Sequence, residues 1–266
     1  MPWWKRLRAE PTVAIRIALG AIGLGVLLLV WWYLTHGEVE DRIISPNKMP
    51  SPGEVFGSFG RLMDRQLGDN IIATLQRVFV GVGLAALVGV TLGIAAGANR
   101  GIASTIAPVV IFLRSVPMGA LLPLTLLLFS AGERQKTMFL FLAIVPFVFS
   151  DSVKAVSLVP ERYVETAQTL GASNRQIIQK VLVPLALPDI ITSIRFQVGL
   201  ALGYITLAEA SVDAQTGLGV LITNSQREGP YEHVYLLLFV IAVLAFGIDL
   251  LLRTLQRGIF AWRKDL

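Results

Sequence analysis

Six stretches of this chain are long and apolar enough to make lipid their natural solvent. They run roughly over 13–34, 70–98, 102–130, 136–157, 189–210 and 232–253. A bilayer core of about 30 Å needs about 20 helical residues to cross it. Backbone groups at that depth must bond internally, so such segments are helices. The expectation is therefore an all-α membrane protein with six transmembrane helices, organised as one domain over residues 1–266. The composition agrees, with 54% hydrophobic and 15% charged residues, where soluble domains carry about 25% charged.

The first apolar run, residues 17–34, follows Lys5, Arg6 and Arg8 but is too long for a signal-peptide core. Trp31, Trp32 and Tyr33 stand where an interfacial aromatic belt belongs, so the run is read as a retained anchor. Lys and Arg then set the orientation. With the N-terminus inside, the inner side or its interface receives Lys5, Arg6, Arg8, Arg100, Lys154, Arg162, Arg175, Lys180, Arg253, Arg257, Arg263 and Lys264. The outer side receives Arg42, Lys48, Arg61, Arg65, Arg134, Lys136 and Arg227. That bias places both termini in the cytoplasm, as six spans require. It also accounts for the net charge of +5 without a nucleic-acid partner.

Several function classes are disfavoured. The chain has no cysteine, and its two histidines, His36 and His233, are far apart. Neither a disulfide framework nor a metal site is expected. No nucleophile–base triad, catalytic carboxylate pair or phosphate loop is present. Gly-x-Gly occurs at 81–83 and 217–219 without the rest of a nucleotide fingerprint, so this chain is not expected to bind ATP or to be an enzyme. The four-residue spacing of Gly89, Gly93 and Gly97 reads as close helix packing. No internal repeat stands out, which disfavours an inverted-repeat secondary transporter.

Two segments break the apolar pattern. In the first outer segment, Ser51-Pro52-Gly53-Glu54 is a capping box with proline at the first helical position. Val55, Phe56, Phe59, Leu62 and Met63 follow at helical spacing, which predicts an amphipathic helix over 52–66 on the outer surface. The second segment is a polar island at 158–188, between the fourth and fifth spans. Pro160 can start a helix, Tyr163, Ala167 and Leu170 align on one face, and Gly171 ends it. Ser173 and Gln176 form another capping box, Ile177, Ile178, Val181 and Leu182 make the next apolar face, and Pro184 limits it. The pattern reads as helix, glycine elbow, helix. Taken alone, it leaves an ordinary amphipathic connector as the alternative.

The same residues resemble the EAA motif of membrane subunits of ATP-binding-cassette importers, which reads Glu-Ala-Ala, three residues, Gly, nine residues, Ile-x-Leu-Pro. Glu165, Ala167, Gly171 and Pro184 fall at that spacing; Thr166 replaces an alanine, and Val181 and Val183 replace isoleucine and leucine. Pro46 to Pro52, Arg114-Ser115-Val116-Pro117, Leu122-Pro123-Leu124, Ala208-Glu209 and Gly217-Leu218-Gly219 are similar to the nitrate/sulfonate/taurine-type permeases. Met118 and Leu-Leu-Phe-Ser at 127–130 depart from that type.

The resemblance implies a type I importer permease in a bacterial inner membrane. Two copies would work with two cytoplasmic ATPases, which carry the ATP and Mg, and with an outer substrate-binding protein. Glu165, Thr166, Ala167, Gly171, Ala172 and Pro184 would form the ATPase-coupling element. The cargo would be a small solute, an anion such as nitrate, a sulfonate, taurine or bicarbonate, with a heterocyclic vitamin precursor as the alternative. The candidate pathway residues are Arg114, Ser115, Pro117, Thr206 and Glu209. Arg114 sits in a proline-broken third span, either lining an anion path or pairing with Glu209 to hold the bundle. Arg77 and Asp249 read as snorkelling or structural charges. Gly217 to Ile222 read as a hairpin at the outer gate. Rival readings are an ATPase-independent secondary transporter or channel, which has no use for Gly171, and a membrane scaffold, which has no use for pathway charges.

Overall fold

The computed structural model describes residues 11–40, 42–211 and 214–263. Lys5, Arg6, Arg8 and Lys264 of the charge argument lie outside the described residues, as do residues 212 and 213 of the last outer connection. Every regular element among the described residues is a helix. The chain forms two compact units, Met1–Arg65 with Ser225–Leu236, and Gln66–Asn224 with Leu237–Leu266.

In the first unit, α1 (Val13–Thr35) buries Thr35 alone, as suits a helix that meets lipid on most sides. Its end is tied down where Trp31 Nε1 donates to the Pro50 carbonyl at 2.9 Å. The capping box forms as the sequence predicts: Ser51 Oγ accepts from Glu54 N, and Glu54 accepts from Ser51 N at 2.7 Å. Arg42 grips the Glu54 carboxylate through both of its oxygens, at 2.9 and 3.1 Å. That guanidinium holds the Glu54 carboxyl well below the usual range, at about 2. The helix expected over 52–66 is divided into α2 (Pro52–Gly57) and α3 (Phe59–Met63). The break falls at Ser58, between Gly57 and Phe59, where the buried Ser58 hydroxyl donates to the Val55 carbonyl at 2.7 Å. Glycine is a weak helix former and a serine hydroxyl competes for backbone groups. Val55 and Leu62 are buried, whereas Phe56, Phe59 and Met63 stay exposed. Arg61 pairs with Glu232 and Arg65 with Glu228, tying the 225–236 corner to α3 and the residues after it.

The second unit is organised by α4 (Leu67–Ala98) and α7 (Glu133–Ser157). Gly81, Gly89, Gly93 and Gly97 fall along one ridge of α4, with Ala85 between the first two. They lie against Leu140, Val148, Ser152 and Val156 of α7. Both series advance in the same direction, so the two helices run parallel and nearly in backbone contact. A Cβ on Gly93 would come within 2.5 Å of Ser152 Cβ and 2.8 Å of the Phe149 carbonyl oxygen. The close packing predicted from Gly89, Gly93 and Gly97 is this seam.

Two parallel neighbours require a return path between them. It consists of α5 (Arg100–Ser115) and α6 (Met118–Phe129), apolar together but bent by 102°. Val116 is extended (φ −71°, ψ 123°) and Pro117 caps α6; a residue before proline is pushed out of the helical region. The expected third span, 102–130, is this broken pair. Among the described residues, five helices are long and apolar enough to cross a membrane, and the bent pair makes up to six.

After α7 come α8 (Glu161–Thr169) and α9 (Asn174–Ile177), then α10 (Val183–Ser211). α10 runs antiparallel to α7: Asp151 meets Ser193 near one end of the bundle. At the other end Glu209 meets Arg77, which also binds Glu133. Phe139, Leu140, Ile144 and Val148 of α7 pack with Val78, Val82 and Ala85 of α4 and Ala201, Leu202 and Ile205 of α10 as the core. α11 (Leu218–Glu228) and α12 (Tyr231–Ile259) complete the chain. Arg195 of α10 binds Asp249 at 2.8 Å and Gln256 at 2.8 Å.

The seam makes a sharp prediction. Gly93→Val forces α4 away from α7 and should destabilise the protein by about 1–3 kcal/mol, read as earlier thermal unfolding in detergent. Gly83→Val, where nothing lies within 4 Å of the added carbon, should change the midpoint little.

Candidate functional site

The polar island projects from the second unit as an exposed helix with a defined stop. No residue of α8 is buried. Leu170, just beyond its end, is 82% exposed. Pro160 caps α8 at its start. At its end Ala172 N donates to Ala167 O at 2.9 Å and Gly171 N to Gln168 O at 2.8 Å. Those two bonds are the Schellman pattern, which needs a left-handed residue after the cap. Gly171 supplies it with φ +79°; a Cβ there would be strained even though space is open. Three of the six candidate coupling residues, Ala167, Gly171 and Ala172, thus form the elbow itself. Thr166 Oγ1 donates to Arg162 O within α8 at 2.6 Å. The Glu165 side chain is exposed, and among the described residues its carboxylate takes no hydrogen bond from the elbow.

Beyond the elbow the structure corrects one expectation. The Ser173–Gln176 capping box forms, but Pro184 does not end the second helix. The chain continues through α9 and a π-turn, Ile178–Leu182, straight into α10. Val183 N bonds Ile178 O, five residues back. Proline brings no N–H and crowds the carbonyl four residues before it; the wider turn immediately upstream accommodates it. The element is one short free helix, an elbow, and the start of a long span.

The candidate pathway residues separate into two places. Arg114, Ser115 and Pro117 lie exposed at the α5–α6 bend. Arg114 stacks over the Phe147 ring of α7, 4.9 Å from its centroid, and Ser115 Oγ donates to Ile111 O. Thr206 and Glu209 belong to another cluster. Glu209 is buried and accepts from Arg77 at 2.6 Å, Thr74 at 2.9 Å and Gly219 N at 3.0 Å. The alternative in which Arg114 pairs with Glu209 is not what forms; the partner is Arg77. Nor does Arg77 snorkel. It is buried, and its fork binds Glu133 twice at 2.6 Å and the Thr216 carbonyl at 2.7 Å. Asp249 is structural through Arg195.

This cluster seats the segment before α11. Gly217 N donates to Asn70 Oδ1, Leu218 N to Thr74 Oγ1 and Gly219 N to Glu209. A Cβ on Gly219 would overlap the Thr206 carbonyl, and one on Gly217 the Glu209 carboxylate. The two glycines noted in the sequence are therefore explained by close approach. What was expected as a hairpin is a helix, α11, whose first amides are capped by side chains. Asn70, Thr74, Glu133 and Thr216 were not singled out from the sequence. Asn70, Thr74 and Arg77 do form a polar stripe at helical spacing in an otherwise apolar span, a signal that could have found the cluster.

The family model described as binding-protein-dependent transport system inner membrane component matches residues 89–261, a stretch that contains α5 through α12. The taurine transport system permease protein TauC of Escherichia coli is 32% identical, covering 98% of this chain and 96% of that protein. The nitrate import permease protein NrtB of Synechocystis is 30% identical over 86% of this chain and 84% of that protein. Among solved structures, an inward-facing MetNI methionine ABC transporter shares the fold with a TM-score of 0.67 at 23% identity. That likeness covers 74% of this chain and 97% of the other.

Removing Arg77 strands the fully buried Glu209 carboxylate, whereas the exposed Glu133 keeps Lys136 at 3.4 Å. Arg77→Ala should cost about 3–5 kcal/mol, seen as a large drop in thermal midpoint, whereas Arg134→Ala, at an exposed cation–π contact, should fall within about 0.5 kcal/mol of the parent.

Proposed function

We propose a specific role from an established premise: the chain belongs to the family of binding-protein-dependent transport system inner membrane components. It is a permease of an ABC importer, a transport component rather than a catalytic one, and the family is integral to the inner membrane. Its homologues work with ATPase and substrate-binding partners. From here the reading is our own. The chain crosses the membrane six times with both termini inside, α5 and α6 together making the third crossing. Two copies form the pathway above two cytoplasmic ATPases, which bind the ATP and Mg, and beneath an outer binding protein.

The observation that carries this reading is α8. A helix with no buried residue, stopped by a Schellman elbow and ending in an exposed leucine, is shaped to enter a groove on another protein. Its apolar tip suits a protein partner better than water. It hangs between α7 and α10, whose packing against α4 turns ATPase closure into rigid-body displacement at membrane depth. The Glu165 carboxylate, which takes no hydrogen bond among the described residues, is left to meet a basic ATPase residue. Thr166, Ala167, Ala172 and Pro184 set the helix and its junction.

The cargo is a small solute: taurine or nitrate, as in the names of the two relatives, or bicarbonate, as in that of the permease protein CmpB of Synechococcus elongatus. A vitamin precursor is the alternative cargo, and an ATPase-independent secondary transporter the alternative mechanism. Arg114, Ser115 and Pro117, at the break in the third crossing, are assigned to the pathway. Thr206 and Glu209 are assigned to holding the start of α11 beside it.

Gly171→Asp or Gly171→Pro should leave membrane insertion intact and reduce transport-coupled ATP hydrolysis by about tenfold or more, the effect of a misplacement of the order of 1 Å. Hydrolysis in the reconstituted complex measures it. Unchanged coupling would remove the elbow from the mechanism, and activity with no ATPase present would favour the secondary transporter.

A further inference from the structure

We propose that the groove between α7 and α10 is a cargo-contact site that reads an ammonium group, so that the cargo is a zwitterion carrying both an ammonium and an acid. The proposal rests on the importer reading above and narrows its substrate class.

The first observation is a carboxylate without a cation. Glu133 and Glu209 meet Arg77, Asp189 meets Arg263 and Asp249 meets Arg195. Among the described residues Asp151 meets only the Ser193 hydroxyl, which donates to one of its oxygens at 2.5 Å. Asp151 stands six residues before the end of α7, about 9 Å along the helix at 1.5 Å per residue. A charged carboxylate at such depth faces water or a ligand, not lipid.

The second observation is the space in front of it. Asp151, Lys154, Asp189, Thr192, Ser193 and Phe196 are among the residues that line a cavity of about 300 Å³. That is room for a small organic solute, and the lining offers two carboxylates, of which Asp189 is already paired with Arg263, together with an ammonium, two hydroxyls and an aromatic ring. A site built for a bare anion would not present its carboxylate to the cavity.

The third observation is where the cations stand. Lys154, one turn after Asp151, is exposed and pairs with no carboxylate among the described residues. Phe147, one turn before Asp151 on the same face, carries the Arg114 guanidinium over its ring at 4.9 Å. Along α7 a cation therefore stands about one turn from Asp151 on either side, Lys154 within the cavity lining and Arg114, over Phe147, outside it. A solute with an ammonium and an acid group a few bonds apart fits that order, the ammonium on Asp151 and Ser193, the acid on Arg114 or Lys154. A monovalent anion meets the cations but also the repulsion of Asp151.

The chain has no cysteine, so Ser193→Cys introduces a single permease thiol. In the full transporter, reconstituted in phosphatidylcholine, a trimethylammonium-bearing methanethiosulfonate should label Cys-substituted 193 about tenfold faster than a sulfonate-bearing one. Asp151→Asn should abolish that preference and Asp151→Glu retain it. Taurine should protect the thiol, while ethanesulfonate and nitrate should not. In the otherwise native chain, Asp151→Asn should lower ATP-dependent taurine uptake about tenfold, equivalent to one decade of affinity. Equal labelling by both reagents, no labelling by either, or protection by nitrate would overturn the site. So would protection that depends on added phosphatidylethanolamine instead of taurine, which would make the groove a lipid seat. ATP-dependent uptake of nitrate or bicarbonate without taurine would overturn the ammonium site and leave the importer reading standing. Absence of ATP-dependent uptake for every solute, with no ATPase bound, would instead overturn the importer reading itself.

Discussion

The near-contact of two parallel helix backbones sets the rest of this structure. α4 and α7 approach through glycines on one side and Leu140, Val148, Ser152 and Val156 on the other. In lipid, apolar surface gains nothing by leaving the solvent, so helices associate through close packing and polar bonds. Small residues every fourth position allow that approach along several turns. Because the two helices are parallel, the chain between them must cross back, and it does so through the bent α5–α6 pair. The break that exposes Arg114 is thus tied to the seam by connectivity.

The polar bonds concentrate at the two ends of the bundle formed by α4, α7 and α10. At one end Arg77 joins the starts of α4 and α7 to the end of α10 and fixes the residues that lead into α11. Every acceptor around Glu209 faces a donor, so the ion pair serves position rather than chemistry. At the other end the charges are less completely satisfied. Among the described residues the Asp151 carboxylate meets only a hydroxyl, and α8 projects with an exposed tip and a Glu165 carboxylate that takes no hydrogen bond. A packed middle, a locked end and an open end suit a body that must move as one piece when pushed from the open side.

Much of the architecture was legible in the sequence because lipid restricts the choices. Long apolar runs announced the helices, four-residue glycine spacing announced the seam, and capping boxes at Ser51 and Ser173 announced two helix starts. Gly171 was legible for a local reason, since a left-handed cap favours glycine whatever surrounds it. Longer-range pairing was not. Arg77, Arg114, Glu209 and Asp249 were all visible as costly charges, but their partners depend on helix rotation and register. Glu133 lay at a span end, where charges are cheap, and Asn70 and Thr74 were uncharged. Pro184 misled because a proline usually limits a helix, and the π-turn that accommodates it has no strong sequence signal. Ser58 divided the outer helix through a side-chain bond that the apolar spacing hid.

The central claim is that α8 and its elbow dock on a separate ATPase. It is tested most directly by placing a photo-crosslinking residue at Leu170, 82% exposed beyond the last turn, in the full transporter in native membranes. The account predicts a covalent adduct with a soluble nucleotide-binding subunit, and none from the equally exposed Leu127 on α6. Adducts at 170 only with lipid or with another copy of this chain, while the ATPase still co-purifies, would contradict it.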